Sequence, residues 1–215
     1  MTPLFVDDHL LVVDKPAGLL AVPGRGADKQ DCLIARLRID WPETLLVHRL
    51  DMATSGLMIF ARDAATQAAL SRQFAERKVF KRYVAVVDGL LQQAENTLDD
   101  EGWSMIDLPL MADWPRRPLQ KVDAAGGKPS MTRWRVLAHD ARACTTRVWL
   151  QPLTGRTHQL RVHLLAQGHA ILGDALYAEP AVAARAPRLL LHAQTLALAH
   201  PMTHEPLRLD AEPPF

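Results

Sequence analysis

Short apolar runs that end at turn residues are the main pattern in the chain, and they predict β-strands. Residues 10–13 are all apolar, and the Lys15-Pro16-Ala17-Gly18 segment ends this run with turn-forming residues. Apolar positions alternate over residues 80–87, which predicts a strand that carries Lys81 and Tyr83 on one face. Further strands are predicted at residues 57–61, 131–137 and 145–152, and a short one near the C-terminus after an apolar run at residues 189–198.

Apolar residues at three- and four-residue spacing predict helices between these strands. Asp31 is expected to cap a short helix that ends before Pro42, and Asp63 a longer one that runs to about residue 77. A third helix is expected to begin at Thr157 and to end at Gly168, with a strand as the weaker alternative.

The remaining segments decide the predicted fold class. Residues 92–117 show little periodicity and contain several turn-forming residues, so a long connection or insertion is expected there. An alanine-rich helix is predicted beyond Asp174. Because strands and helices do not alternate regularly, the sequence predicts a mixed α/β (α+β) fold with a largely antiparallel sheet and flanking helices, as one domain over residues 1–215.

Composition excludes several classes of protein. Of the 215 residues, 48% are apolar, which is enough for a sizeable core and excludes a disordered tail. Cys32 and Cys144 are too few for a disulfide framework and are expected to be free thiols in a reducing compartment. An acidic pair near the N-terminus comes too early for a secretory signal, and the most apolar stretch, residues 189–200, is shorter than the ~18 residues of a membrane span. A cytoplasmic protein with no membrane partner is expected.

The net charge of +1 conceals charged stretches of opposite sign. Residues 72–82 contain five basic residues and one acid, and residues 116–135 six basic residues and one acid, whereas residues 95–113 contain six acids and no base. Each basic stretch alone fits a solvated face equally well. Because Tyr83 and Trp114 lie beside these stretches, the alternative of a surface for a polyanion with unpaired bases gains weight.

The most unusual segment is the polar cluster at residues 47–56, which lies between two apolar runs. From the residues alone, Asp51 is either a structural carboxylate that bonds the loop amides, Thr54 or Ser55, or a nucleophile or general base held beside a cation. The residue pattern leaves both interpretations open.

Two other enzyme classes fit this sequence poorly. His48-Arg49 before an aspartate is similar to the catalytic loop of kinases, but Leu50 intervenes and no Asp-Phe-Gly follows. A metal-dependent hydrolase would use His158 and His163, yet their spacing of five places them poorly on one helical face, so no metal is expected. The alternative to an enzyme is a non-enzymatic RNA-binding module, because such a module would need only the basic stretches.

The cluster carries a family resemblance. His48-Arg49-Leu50-Asp51 followed by Thr54-Ser55-Gly56 resembles the signature of the RluA family of RNA pseudouridine synthases. From about residue 8 onward, the other matching stretches are Lys15-Pro16-Ala17-Gly18-Leu19, Lys81-Arg82-Tyr83-Val84-Ala85, Thr154-Gly155-Arg156-Thr157-His158-Gln159-Leu160-Arg161-Val162-His163, Ile171-Leu172-Gly173-Asp174 and Leu191-His192-Ala193. The resemblance implies one pseudouridine synthase catalytic domain that needs no cofactor. Because the first motif comes so early, no S4-type RNA-binding domain is expected ahead of it.

The resemblance also implies roles for three residues at the reacting nucleotide. Asp51 matches the catalytic aspartate, which attacks the ribose, attacks the uracil ring or removes a ribose proton; the sequence leaves these routes open. Arg161 matches an arginine that pairs with this aspartate and would lower its pKa, the alternative being an arginine on a helix surface. Tyr83 matches an active-site tyrosine that packs on uracil, the alternative being a residue of the core or sheet face.

The remaining expectations concern RNA. Arg49 is the candidate to fill the space that a flipped base leaves or to hold its phosphate. Weaker candidates for contacts with the RNA backbone are Lys81, Arg82, Arg116, Arg117 and Lys121.

Within the family, Asp51 to Gly56, Asp113-Trp114-Pro115 and the short N-terminus resemble the dual-specificity RluA type. This implies two partners, tRNA and 23S rRNA, modified at an anticodon stem-loop uridine (U32) and at a hairpin-loop uridine (U746). Another uridine in rRNA or tRNA is the alternative. A monomer is the simpler expectation.

Overall fold

In the computed structural model, which describes residues 2–215 and only the backbone at residues 28 and 97, strands outnumber helices. The strands are β1 (Phe5–Val6), β2 (Leu10–Lys15), β3 (Leu45–Leu46), β4 (Ser55–Ala61), β5 (Phe80–Asp88), β6 (Ser104–Asp107), β7 (Leu110–Ala112), β8 (Gln120–Val122), β9 (Met131–Asp140), β10 (Thr145–Pro152), β11 (Leu191–Ala199) and β12 (Pro206–Asp210). The helices are α1 (Leu33–Asp40), α2 (Ala64–Ala75), α3 (Gln159–Ala166) and α4 (Pro180–Ala183). The predicted fold class, a mixed α+β fold with mostly antiparallel strands, is confirmed.

The chain divides into two compact units. The first comprises Met1–Lys81 and His192–Pro214, and the second comprises Arg82–Leu191 and Phe215. The assignment of residues 1–215 to one catalytic domain stays a prediction. Within residues 2–215, no helix is long and apolar enough to cross a lipid bilayer.

The first unit is built around β2 and β4. β2 pairs antiparallel with β1 and with β4, and β3 also pairs with β4. β4 and β11 run parallel in a register that places Ser55 opposite His192, and β12 lies antiparallel to β11. All seven residues of β4 are buried, because both faces of this strand are covered. This explains why residues 57–61 form a continuous apolar run rather than an alternating one.

The two predicted helix caps in this unit have different outcomes. The Asp63 carboxylate accepts a hydrogen bond from the backbone N–H of Thr66 (2.8 Å), so the predicted cap of α2 is confirmed. The prediction that Asp31 caps α1 is wrong. The Arg36 guanidinium donates to both oxygens of the Asp31 carboxylate, and α1 begins after the extended residue Cys32 with no side-chain cap.

In the second unit, β5, β10, β9 and β6 pair antiparallel in that order, and β7 and β8 form a separate hairpin. The predicted strands at residues 131–137 and 145–152 are confirmed. The prediction of an irregular connection over residues 92–117 is wrong in part, since β6 and β7 lie there. Both strands are short, and β6 pairs with a strand more than twenty residues downstream, so local periodicity did not reveal them.

The helical predictions in this unit are confirmed with shorter bounds. α3 begins at Gln159 because His158 adopts a left-handed backbone conformation (φ 52°), and Gly168 (φ 81°) follows its end. The alanine-rich helix is only the four residues of α4.

We expect the close approach of β4 and β11 to make Gly56 irreplaceable. Its φ is 115°, and a Cβ atom there would lie 2.4 Å from the backbone N and O of Ala193. Gly56→Ala should therefore lower the free energy of unfolding by about 3 kcal/mol or more, measured by urea denaturation. Gly155→Ala is the matched control, because nothing lies within 4 Å of the added methyl group, and it should cost less than about 1 kcal/mol. Equal losses would contradict the constraint.

Candidate active site

The His48-Arg49-Leu50-Asp51 segment follows β3 and leads into a turn at residues 51–54 that precedes β4. The backbone carbonyl of Asp51 accepts a hydrogen bond from the N–H of Thr54 (3.1 Å), which closes the turn. Leu50 is buried, Asp51 is half-buried and Arg49 is exposed. The segment therefore carries a guanidinium at Arg49 and a carboxylate at Asp51, and the buried side chain of Leu50 anchors the backbone between them.

Lys15 fixes the far side of this turn. Its ammonium is fully buried and donates hydrogen bonds to the backbone carbonyls of Pro16 (2.9 Å), Leu19 (2.8 Å) and Met52 (3.1 Å). The N–H of Gly18 donates to the same Met52 carbonyl (2.8 Å). The Lys-Pro-Ala-Gly turn and the residue after Asp51 are thus joined through one charged group.

His48 has a structural role in this turn. Its Nε2 atom accepts a hydrogen bond from the N–H of Ile59 (3.1 Å), and its ring stacks on Phe74 with centroids 4.7 Å apart. Burial of the ring and, less strongly, the positive charge of Lys81 lower the pKa of His48 from 6.5 to about 3. The imidazole is therefore neutral at pH 7 and carries its proton on Nδ1.

Ser55 and His192 form a second buried contact behind the turn. The Ser55 hydroxyl lies 2.8 Å from Nδ1 of His192, and Nε2 of His192 lies 3.2 Å from the carbonyl oxygen of Ala211. Since Nε2 must donate to that carbonyl, Nδ1 accepts from Ser55. Both side chains are buried, so this pair joins β4 to β11 rather than facing a ligand.

Lys81 belongs to the first unit, with Arg49 and Asp51. Its side chain is half-buried, and burial and the positive charge of Arg77 lower its pKa. Lys81 is therefore less solvated than the basic stretch alone indicated, and its contact with the RNA backbone stays a prediction.

Tyr83 and Arg82 lie on β5 in the second unit. Tyr83 is half-buried and pairs in register with Leu150 of β10. The Arg82 guanidinium lies over the ring of Trp149, 4.3 Å from its centroid.

Arg161 is buried in α3, so the alternative of a helix-surface arginine is wrong. Its Nε and Nη2 atoms donate to the two carboxylate oxygens of Asp174 at 2.8 and 2.6 Å. Asp174 is also buried and accepts from the N–H groups of Leu176 and Tyr177. This bidentate pair holds the guanidinium in one plane. Its predicted pairing with Asp51, which belongs to the other unit, stays a prediction.

Tyr177 packs against a face of the Arg161 guanidinium. The Arg161 guanidinium carbon lies 4.9 Å from the centroid of the Tyr177 ring. The Tyr177 hydroxyl lies 2.6 Å from Nδ1 of His158 and accepts a hydrogen bond from the N–H of Gln120 (2.9 Å). Sequence reasoning assigned no role to Asp174 or Tyr177. The only signal was that Asp174 closes a motif of the family resemblance.

The fold pairs two of the predicted RNA-binding cations with carboxylates. Arg116 binds Asp113 (2.6 Å) and Lys121 binds Asp123 (3.1 Å). Arg117 instead lies over the ring of Trp114, 3.3 Å from its centroid. The acidic stretch also supplies Asp99 and Glu101, which both bind Arg133. The two charged stretches that are separate in the sequence therefore partly neutralise each other.

Among residues 2–215, no group of three or more His, Cys, Asp or Glu side chains is placed to hold a metal ion. His163 lies within hydrogen-bond distance of the Thr132 hydroxyl (2.9 Å) and the Leu108 carbonyl (3.0 Å) instead.

Known proteins match this chain over most of its length. A model of RNA pseudouridylate synthases matches residues 9–166. The "Dual-specificity RNA pseudouridine synthase RluA" of Yersinia pestis is 48% identical over 215 residues, which is all of both chains. The protein of that name from Escherichia coli K12 is 50% identical over 198 residues, covering 92% of this chain and 86% of that protein. The structure of "Human RNA Pseudouridylate Synthase Domain Containing 1" matches with a TM-score of 0.80 and 30% identity, covering all of this chain and 84% of that one.

The low pKa of His48 predicts that acid destabilises the protein. In the unfolded chain the ring protonates near pH 6.5, whereas in the folded chain it stays neutral to about pH 3. The unfolded state therefore takes up the proton first as the pH falls, so stability is complete above about pH 6.5 and is lost toward pH 3. The expected loss between pH 6.5 and 5 is about 2 kcal/mol in urea unfolding.

His48→Gln is the variant that isolates this contribution, because an amide oxygen can still accept from the N–H of Ile59 without titrating. Between pH 6.5 and 5, the unfolding free energy of this variant should fall by about 2 kcal/mol less than that of the wild type. The burial of His163, which also lowers its pKa, leaves a residual slope of the same sign. An unchanged slope in the variant would show that His48 does not act this way.

The buried ion pair of α3 predicts a large difference between two similar substitutions. Asp174→Asn leaves a buried guanidinium without this carboxylate and should cost about 3–5 kcal/mol of unfolding free energy. Asp31→Asn removes the partner of Arg36 in an exposed pair, whose side chains are 65% and 49% exposed, and should cost less than about 1 kcal/mol. Chemical denaturation measures both. A small effect for Asp174→Asn would mean that the pair does not anchor Arg161.

Proposed function

Because this chain belongs to the RNA pseudouridylate synthase family, and is therefore an enzyme that isomerises uridine in RNA to pseudouridine, we propose that Asp51 is its catalytic group. The observation that carries the proposal is the turn at residues 51–54, whose first residue is a half-buried aspartate within the region that the family model matches. A fixed and partly sheltered carboxylate is what a nucleophile or general base requires.

The reaction breaks the N-glycosidic bond of uridine, turns the uracil and joins a ring carbon to the ribose without net oxidation or reduction. An ionised carboxylate can serve by attacking the anomeric carbon, by attacking the ring or by removing a ribose proton. Each route requires the carboxylate to be fixed against the bound nucleotide. The hydrogen bonds at the Asp51 and Met52 carbonyls support this role, because they hold the backbone at and after Asp51. The reaction as proposed needs no cofactor.

Arg161 and Tyr83 complete the proposed site. In this proposal Arg161 stabilises the ionised form of Asp51, and Tyr83 packs its ring on the uracil. The bidentate pair of Arg161 with Asp174 supports the first role, because it fixes the orientation of the buried guanidinium. The half-buried state of Tyr83 supports the second, since the residue is partly exposed to solvent.

The target base must leave its stack to reach Asp51. Arg49 is exposed and lies two residues before Asp51, which supports a role in filling the vacated space or holding the phosphate of the flipped nucleotide. The remaining cations proposed to contact the RNA backbone are Lys81, Arg82, Arg116, Arg117 and Lys121.

We propose two RNA substrates for this enzyme. They are the tRNA anticodon stem-loop, modified at U32, and a 23S rRNA hairpin loop, modified at U746. The support is the dual specificity printed in the names of relatives that share about half of their residues with this chain. A different uridine in tRNA or rRNA is the alternative. The enzyme is further proposed to act as a monomer in the cytoplasm, in keeping with its free thiols at Cys32 and Cys144.

Asp51→Asn tests the catalytic role, because the amide is nearly the same size as the carboxylate but cannot act as nucleophile or base. Tritium release from 5-tritiated uridine in the two stem-loops should fall by at least about 10³-fold, while RNA affinity and the unfolding midpoint stay near those of the wild type. Asp40→Asn, an exposed aspartate of the same unit, is the control and should keep full turnover.

Three outcomes would overturn parts of this proposal. Undiminished release by Asp51→Asn would reject Asp51 as the catalytic group. RNA binding by the wild type without any release would favour a non-enzymatic RNA-binding module. Release from neither stem-loop, but from bulk tRNA or rRNA, would leave the reaction standing and reject the two assigned uridines.

A further inference from the structure

A cavity of about 320 Å³ lies in the second unit between α3 and the β7–β8 hairpin. Its apolar walls are side chains from β8 and the residue before it, from α3 and from the segment after Asp174. They are Leu119, Val122, Val162, Leu165 and Leu176. The three residues proposed to act at the target uridine, Asp51, Tyr83 and Arg161, do not line it. Its size admits one flat ring system rather than a folded element.

Two of these apolar side chains are unusually exposed. Residues 159–164 of α3 are all buried, yet Leu165 is 39% exposed and Leu176 is 40% exposed. Two exposed leucines at one cavity are typical of a surface that an apolar ligand covers.

Cationic side chains line the same cavity. The Arg116 side chain is 71% exposed and is fixed by the buried Asp113, which its Nε and Nη2 atoms bind. An arginine has five N–H donors, so this pair orients the guanidinium and leaves its Nη1 edge for a second anion. Lys121 lines the cavity as well and is 45% exposed. Apolar walls beside an oriented arginine and a lysine match a nucleotide, whose base has flat faces that pack on apolar side chains and whose phosphate is anionic.

Tyr177 connects this cavity to Arg161. It lines the cavity, its ring lies beside the Arg161 guanidinium, and its hydroxyl is held by His158 and by the backbone of β8. A ligand in the cavity would therefore contact the side chain that supports the proposed catalytic arginine.

We propose that this cavity binds one unpaired base of the RNA loop that carries the target uridine, and that Arg116 and Lys121 contact the phosphate beside that base. The inference rests on the proposed function only in taking a structured RNA loop as the substrate. It adds a second base-binding subsite, separate from the one that receives the uridine, and gives the loop a way to be recognised by its shape.

Two cavity variants and one control test the proposal. Leu165→Glu places a carboxylate where the base and its phosphate would lie, and Leu176→Gln replaces an apolar wall with a polar one. Both should weaken the affinity for each stem-loop about tenfold or more, as loss of one stacked base does. Leu137→Glu is the matched control, because this β9 leucine is 37% exposed and does not line the cavity. The affinity of Leu137→Glu for each stem-loop should equal that of the wild type.

Abasic RNA identifies the bound base. Stem-loops with one abasic nucleotide at each position other than the target are titrated against the wild type and against Leu165→Glu. One position should weaken wild-type binding as much as Leu165→Glu does and should weaken the variant no further. Normal affinity in both cavity variants, or losses that add at every abasic position, would overturn the proposal. Affinity and tritium release are measured separately, so failure of the cavity proposal is distinct from absence of tritium release.

Discussion

The buried ammonium of Lys15 is the constraint on which the geometry of the Asp51 turn depends. A charge with no access to water must be satisfied by polar atoms of the protein, and the carbonyls of Pro16, Leu19 and Met52 contribute to this. Because the Met52 carbonyl follows Asp51 directly, the turn cannot move away without removing a hydrogen-bond acceptor from a buried charge. Rigidity of the backbone at Asp51 thus comes from a neighbouring segment as well as from the loop's own hydrogen bond.

In the second unit, too, polar partners within the protein hold charged side chains in place. Acidic residues 95–113 supply Asp99, Glu101 and Asp113 to arginines from the basic stretch. The pairs reduce the net field that RNA would meet, but they also fix the orientation of guanidinium groups that would otherwise be mobile. Oriented cations favour recognition of a particular loop shape over tight binding to any polyanion. A near-neutral protein can therefore be selective for RNA.

The sequence allowed the prediction of features that local pattern determines. The strands at residues 57–61 and 145–152, the Asp63 cap and the α3 helix follow from nearby residues. β6 and β7 did not follow, because their pairing partners lie downstream and each strand has only three or four residues. The Asp31 cap failed because Arg36 competed for its carboxylate. At the site, motif resemblance predicted Asp51, Tyr83 and Arg161. The contacts of Asp174, Tyr177 and His192 depend on long-range packing that no local spacing encodes.

The parallel pairing of β4 with β11 has a consequence for biosynthesis. The Ser55 side chain is hydrogen-bonded to His192, a residue 137 positions later in the chain. Residues 192–214 complete the first unit. During translation, the segment that carries Asp51 is made early but has to wait for its neighbouring strand, whereas residues 82–191 emerge as one uninterrupted stretch. The nascent chain thus holds an incomplete Asp51 segment on the ribosome until residues 192–214 have been made.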